Sequence, residues 1–329
     1  MKKISIIVPM YNSFSMMQRN LQVLERQKAA QIELIVVDDC SSDDSFTKAT
    51  EYAAKTSLDM VVLQNEKNGG PGVSRNNGIA RATGDYVSFI DSDDYFSENY
   101  TEILAPLMEQ EIDCIIYDYV NVDENDNVLS KGKSISGGNV SKGFVDPKVA
   151  FTYTAGSTMC KLYRREALEA SGAKFGEYFR NEDMPFTKHA IAMSERVYYC
   201  GEHLYFYVQL STSLMHNSQL TDERNCQRSY ALLSERLAGQ GLEPELCAIE
   251  LREVLNTTVL IRLRKDAPRK DVLSYIRANY KKEHIKNPYF AGLPTYVRII
   301  SYCAYYRSYI ALYWIEKYRR YQKKKSIKK

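Results

Sequence analysis

Asp91-Ser92-Asp93-Asp94 follows a short apolar run, and carboxylates two residues apart just past a strand can share one hard divalent cation. Mg2+ and Mn2+ take such oxygen ligands, and need only one or two protein carboxylates when substrate phosphates complete the shell. The cluster therefore implies a phosphate-bearing ligand. An EF-hand calcium loop is excluded, because Tyr95 and Phe96 stand where that loop needs an oxygen ligand and a glycine. A structural alternative gives the same aspartates to side-chain turns leading to Ser97 as the N-cap of a helix. A second acidic group, Asn181-Glu182-Asp183, precedes Met184-Pro185. Asp is a favoured N-cap and Pro fits a first helical turn, yet a carboxylate at that place can also take a proton from an acceptor hydroxyl.

Asp38-Asp39 closes another apolar run, where a carboxylate can accept from an imide N–H or a ribose hydroxyl, or cap the helix beginning near Ser45. Asn68-Gly69-Gly70-Pro71-Gly72, followed by Ser74-Arg75-Asn76-Asn77, joins a turn that permits close backbone approach to an Arg suited to phosphate. It is not a dinucleotide fingerprint, since Arg75 replaces the third glycine. The four histidines, His189, His203, His216 and His284, make no pair at metal spacing; His216, after the last apolar run, is the only one near a candidate loop, where a surface role competes with contact to a diphosphate. No Ser-His-Asp or Cys-His nucleophile pattern stands out.

Four short apolar runs must position these groups: 4–9, 33–37, 60–63 and 86–90. Stretches of helical length, 15–27, 45–55 and 72–82, alternate with them, which predicts an α/β unit on a mostly parallel sheet. Ligands bind beyond the carboxyl ends of such strands, so the polar clusters after the four runs are expected to converge on one crevice. Beyond them the pattern predicts strands at 114–120, 159–163, 197–199 and 204–208, a hairpin or mobile loop at 123–143, and helices from 164 and over 185–193. From about residue 221 it turns helical. The division expected is a catalytic α/β domain over 1–220 and a helical region over 221–329.

At 329 residues, with 44% hydrophobic and 26% charged positions, the chain fits roughly two domains. A mean hydropathy of −0.41, and no apolar stretch of the roughly 20 residues a bilayer span needs, exclude a polytopic membrane protein. The start, Met1-Lys2-Lys3 and a brief apolar run, does not read as a signal peptide. Seven scattered cysteines without Cys-x-x-Cys read as buried thiols of a reducing cytosol, so a cytoplasmic protein is expected. The net charge of +3 hides an asymmetry: residues 317–329 hold eight Lys/Arg and no acid, and without them 36 bases face 41 acids. An acidic body makes nucleic acid an unsuitable partner, while the basic end suits an anionic surface. Residues 295–321 hold eight tyrosines and Trp314, the only tryptophan, a composition that fits peripheral contact with the inner face of a cell membrane. At 100° per residue Ile299, Ile300, Cys303, Ile310, Ala311 and Trp314 share a face, with Arg307 in its middle. The competing reading is a helix packed on the catalytic domain with a solvated tail.

Taken together, Ile6-Ile7-Val8-Pro9-Met10-Tyr11-Asn12, Ile35-Val36-Val37-Asp38-Asp39, Asn68-Gly69-Gly70 with Ser74-Arg75-Asn76 and Gly78, Gly84-Asp85-Tyr86 through Asp91-Ser92-Asp93-Asp94, and Lys161-Leu162-Tyr163-Arg164-Arg165-Glu166 resemble family-2 glycosyltransferases. That resemblance implies the GT-A fold, a Rossmann-like α/β architecture, and inverting transfer from a nucleotide-diphosphate sugar, here UDP-linked, with Mn2+ or Mg2+. Carried over by position, it implies that Pro9, Tyr11 and Asn12 line the base and ribose and that Asp39 meets the uracil imide. Asn68, Arg75 and Lys161 fall near the nucleotide and diphosphate. Asp91 and Asp93 match the Asp-x-Asp pair, Asp93 or its rival Asp94 binding the metal, with His216 as a further candidate, and Asp183 matches the general base. Relatives often have Tyr-Arg before a Ser-x-Ser motif, where this chain has Tyr207-Val208 before Ser211-Thr212-Ser213. The acceptor implied is a saccharide or lipid-linked saccharide, of the kind assembled into bacterial surface polysaccharides; a homo-oligomer is also a candidate assembly. A nucleotidyltransferase and an inactive nucleotide-sugar-binding module are the alternatives.

Overall fold

The computed structural model describes residues 1–177, 180–209 and 223–327, with side chains up to Tyr321. It divides into two compact units, one of residues 1–135 and 140–216, the other of residues 136–139 and 217–329.

In the first unit β1 (Lys3–Met10), α1 (Gln18–Arg26), β2 (Gln31–Asp38), α2 (Ser45–Ala53), β3 (Asp59–Gln64), α3 (Pro71–Arg81) and β4 (Tyr86–Phe89) alternate as the apolar spacing predicts. The remainder adds β5 (Tyr95–Phe96), α4 (Tyr100–Met108), β6 (Cys114–Val122), β7 (Val128–Gly132), β8 (Gly143–Val145), α5 (Pro147–Tyr153), β9 (Lys161–Arg164), α6 (Arg165–Ser171), α7 (Asp183–Ala192) and β10 (Val197–Val208). One sheet runs in the order β3-β2-β1-β4-β9-β6-β10-β5, with β7 beside β6 and β8 beside β10. The pairs among β3, β2, β1 and β4 are parallel, as is β6 with β10, while β9 runs antiparallel to both its neighbours. Strands this apolar are covered on both faces: Ile4, Ile6, Leu34 and Val36 pack on one side with Leu21, Leu24 and Leu104, all essentially inaccessible to solvent.

Two details differ from the sequence expectation, and a third selects between its alternatives. The runs 197–199 and 204–208 form one strand, β10, whose register against β6 shifts twice around His203, so a pleat irregularity rather than a turn separates them. Of the two readings offered for 123–143, the hairpin is the one present: β7 pairs antiparallel with β6 across the turn at Asp123–Asn127. Ser97 is not a helix cap; its hydroxyl donates to Asn99, and α4 begins after Asn99.

The second unit is helical, with α8 (Glu223–Arg236), α9 (Glu243–Ile249), α10 (Asn256–Arg264), α11 (Arg269–Asn279), α12 (Lys282–Lys286), α13 (Thr295–Tyr305) and α14 (Tyr309–Ile327). Leu251, Leu255, Val259 and Leu263 are buried along it, at the helical spacing the sequence shows. Residues 299–314 do not share one helical face. Within α13 Ile299 is exposed while Ile300 is buried, and Arg307 adopts φ 58° between α13 and α14, so the 100° progression does not continue to Ile310 and Trp314. All seven cysteines are free thiols, Cys114, Cys160 and Cys200 buried and the other four partly so. Among the described residues no helix is long and apolar enough to cross a membrane.

Candidate active site

The loops after β1, β2, β3 and β4 are joined by a continuous run of hydrogen bonds. Asn12, held at φ 51°, accepts on Oδ1 from the backbone N–H groups of Ser42 and Asp43, and its own N–H donates to Ser41 Oγ. Asp38 accepts from Ser41 and from Gln64 Nε2. Asp39 is buried and accepts from Asn65 Nδ2 at 2.7 Å and from the N–H groups of Gly69 at 2.9 Å and Gly70 at 2.7 Å. In this structure Asp39 therefore shapes the glycine turn after β3. Gly70 sits at φ 85°, a left-handed conformation that costs glycine nothing, and its N–H thereby points at the carboxylate. Ser74 Oγ accepts from Asn65 as well, so serine adds a bond that an alanine there would lack. Tyr11 and Asn68 are exposed at the rim, and Pro9 lies within β1 opposite Val37.

Arg75 links this network to the acids. It projects from α3 and is buried, with Nη2 donating to Asp91 Oδ1 and Nη1 to Glu182 Oε1, each at 2.8 Å. Burial disfavours its charge, but Asp91 and Glu182 outweigh that and raise its pKa. Its Nε is buried with no hydrogen-bond partner among the described residues, and its guanidinium lies 5.4 Å from the centre of the Phe175 ring. The next residue, Asn76, clamps the backbone of Phe175 by accepting from its N–H and donating to its carbonyl. Phe175 stacks on Phe186 of α7 at 3.8 Å, and Phe89 meets both rings edge-on. Thus Arg75 and Asn76 fasten to the strand ends the chain that leads into α7. Gly72 permits the fit: a Cβ there would lie 2.6 Å from the Gly176 carbonyl oxygen and 3.0 Å from Cγ of Glu182. Gly72 thus lies close against the protein's own chain.

Asp183 opens α7 with Glu182 as N-cap, and no side-chain capping bond is present, so capping does not account for it. Burial, then the neighbouring Glu182 charge, push its carboxyl up to about 7, against the pull of Arg75. Such a group changes protonation near neutrality, which suits a proton acceptor. Lys161 is buried and its ammonium donates to the carbonyls of Ser157 and Met159, so it braces the turn before β9. Burial lowers its pKa.

Asp93 makes no ion pair among the described residues, and its carboxyl is pushed up to about 6 by burial and by Asp91. Asp94 differs. Its Oδ2 accepts from the Tyr205 hydroxyl at 2.5 Å and its Oδ1 from the Val208 N–H at 2.8 Å, both in β10, and burial raises its pKa well above the ordinary value. Both Asp94 oxygens are thus already engaged by the protein. Sequence reasoning missed Tyr205 and the ion pair of Glu182. Asp91 to Tyr205 and Arg75 to Glu182 span more than 100 residues, and no local spacing announces such partners. His216, and Ser211 to Ser213, lie outside the described residues.

A divalent cation fits what remains. Asp91 and Asp93 offer hard oxygen donors, and the like charge of Asp91 together with burial leaves Asp93 short of positive charge. Among the described residues no three His, Cys, Asp or Glu side chains are grouped to hold a metal, so a diphosphate would have to supply the rest of the shell.

Residues 5–172 match the model of glycosyl transferase family 2. The chain belongs to that family. Over 219 residues it is 30% identical to the poly(ribitol-phosphate) beta-glucosyltransferase of Bacillus spizizenii, a match covering 63% of this chain and 32% of that protein. Over 218 residues it is also 30% identical to the poly(ribitol-phosphate) beta-N-acetylglucosaminyltransferase TarS of Staphylococcus aureus, covering 63% and 35%. The matched part spans about a third of the length of these relatives. The crystal structure of S. aureus TarS 1-349 in complex with UDP-GlcNAc superposes with a TM-score of 0.69 at 22% identity, over 97% of this chain and 92% of that one. The fold of this family-2 member is accordingly the GT-A architecture expected from its motifs, followed by a helical region.

Proposed function

We propose that this chain transfers a sugar from a UDP-linked donor to a hydroxyl of a saccharide acceptor, with inversion at the anomeric carbon. The observation that carries the reading is the Arg75 bridge. It places Asp91, beside the metal candidate Asp93, and Glu182, beside Asp183, on opposite hands of one buried guanidinium. Family membership supports the activity class, and the solved TarS complex, which holds UDP-GlcNAc, supports the donor class.

Asp183 accepts the proton of the incoming hydroxyl as that oxygen attacks, in line with the departing diphosphate. One displacement of this kind inverts configuration and needs no enzyme nucleophile. Asp93, with Asp91, would hold the divalent cation, whose Lewis acidity would, when it is bound, neutralise charge on the leaving diphosphate. Asp94, held by Tyr205 and Val208, fixes the loop that presents Asp93. Asp39 and Asn12 set the loops that receive the nucleoside, and Tyr11 offers an exposed ring at that edge. The relatives act on poly(ribitol-phosphate), and for this chain we assign the same broad class, a surface polysaccharide or its lipid-linked precursor, made on the cytoplasmic side.

Incubation with UDP-sugars, Mn2+ and saccharide acceptors tests the reading. Free UDP and a glycoside whose anomeric configuration is opposite to the donor's support it. With UTP and a sugar 1-phosphate supplied instead, release of pyrophosphate and formation of a UDP-sugar would make the chain a nucleotidyltransferase, and tight nucleotide binding without any turnover would make it a binding module.

A further inference from the structure

The α13–α14 segment folds as an antiparallel pair, for the Arg319 guanidinium lies 5.5 Å over the ring of Tyr296 at the far end from the turn at Arg307. Each helix packs within the helical unit by one row, Val297, Ile300 and Ala304 in α13 and Leu312 and Glu316 in α14. The opposite rows are apolar too. Tyr296, Ile299 and Tyr302 are exposed on α13, and Ile310 and Trp314, each 65% exposed, stand on α14. With Tyr306, Tyr318 and Tyr321, this segment supplies eight of the fifteen large hydrophobic side chains exposed among the described residues, so the exposure is concentrated rather than scattered.

Charge tells what covers this face. Residues 295–329 contain ten Lys/Arg and one acid, Glu316. Glu316 is buried and paired with Arg264 and Arg320, so it leaves the outer face without an accessible carboxylate. We infer that the outer face of α13–α14 docks on an anionic lipid surface. Tyrosine and tryptophan rings settle at headgroup depth, and the basic residues meet lipid phosphates. A second copy of the chain is disfavoured as the cover, since a symmetric contact would oppose two strongly basic segments. A polyanionic chain in solution would satisfy the bases but leave the aromatic row in water. The inference does not depend on the transfer reaction.

Trp314 is the only tryptophan and lies in this row, so its fluorescence reports contact directly. With vesicles of phosphatidylcholine and phosphatidylglycerol, the full chain is expected to show blue-shifted emission, quenched by bromine on the acyl chains, and little binding to phosphatidylcholine alone. The double variant Ile299→Asn/Ile310→Asn alters only exposed positions and should keep its circular dichroism while its vesicle affinity falls about tenfold or more. Three results would overturn the inference. One is the absence of vesicle binding. Another is binding without acyl-chain quenching and with unchanged affinity in the double variant, which would leave electrostatic adsorption through the tail. The last is a lipid-independent, concentration-dependent blue shift lost in the double variant, which would identify a second copy as the cover.

Discussion

Two acidic clusters of the first unit are held in opposite ways. After β4, Asp94 is fixed by neutral donors from β10 while Asp93 beside it makes no ion pair among the described residues. At the start of α7, Glu182 is fixed by a full charge, Arg75, while Asp183 beside it makes no side-chain hydrogen bond among the described residues and titrates near 7. Each cluster thus pairs one carboxylate anchored by the protein with one that, on the proposed mechanism, does the chemistry. The anchor decides the environment of its neighbour: Arg75 reaches both clusters, through Asp91 and through Glu182, but its charge pulls directly on Asp183, whereas among the described residues no cation pairs with Asp93 or Asp94.

Arg75→Ala breaks that contrast most severely. It strands Glu182 and Asp91 without their shared counter-charge, and a cost of about 3–5 kcal/mol is expected in a urea or thermal melt. An unchanged melt with lost donor affinity would instead make Arg75 a ligand contact. Asp93→Ala should lower Mn2+-stimulated nucleotide release on the order of 10² to 10³-fold while the melt stays near that of the parent. Tyr205→Phe removes a donor from buried Asp94, with a predicted stability loss of about 1–3 kcal/mol and a smaller effect on turnover. Glu182→Gln sharpens the comparison through pH. The base must be ionised, so kcat/KM rises with pH through a limb near 7 and is lost below it. Removing the Glu182 charge removes the second cause of that elevation, so the limb should move to lower pH; a limb that stays in place would detach Glu182 from Asp183.

The sequence reading reached furthest where partners are close along the chain. Strand and helix alternate through β4 in the predicted order, because buried parallel strands are short apolar runs and the motif residues follow them at once. The same reading placed Asp39 and Arg75 on the ligand, and the structure gives their side chains protein partners: Gly69, Gly70 and Asn65 for one, Asp91 and Glu182 for the other. Both are charged groups beside loops, and spacing alone does not tell a ligand contact from a brace. Lys161 is a similar case, its ammonium buried on two carbonyls rather than aimed outward. The break at Arg307 was equally hidden, since a left-handed arginine leaves no mark in an apolar pattern.

The most direct test of the central claim is Asp183→Asn, assayed for donor binding and for transfer in one preparation. The account predicts that UDP-sugar affinity in the presence of Mn2+ is nearly unchanged while kcat falls by roughly 10² to 10⁴-fold, the contribution of a positioned base. Transfer that persists at the parent rate, or donor affinity lost in step with turnover, would contradict it.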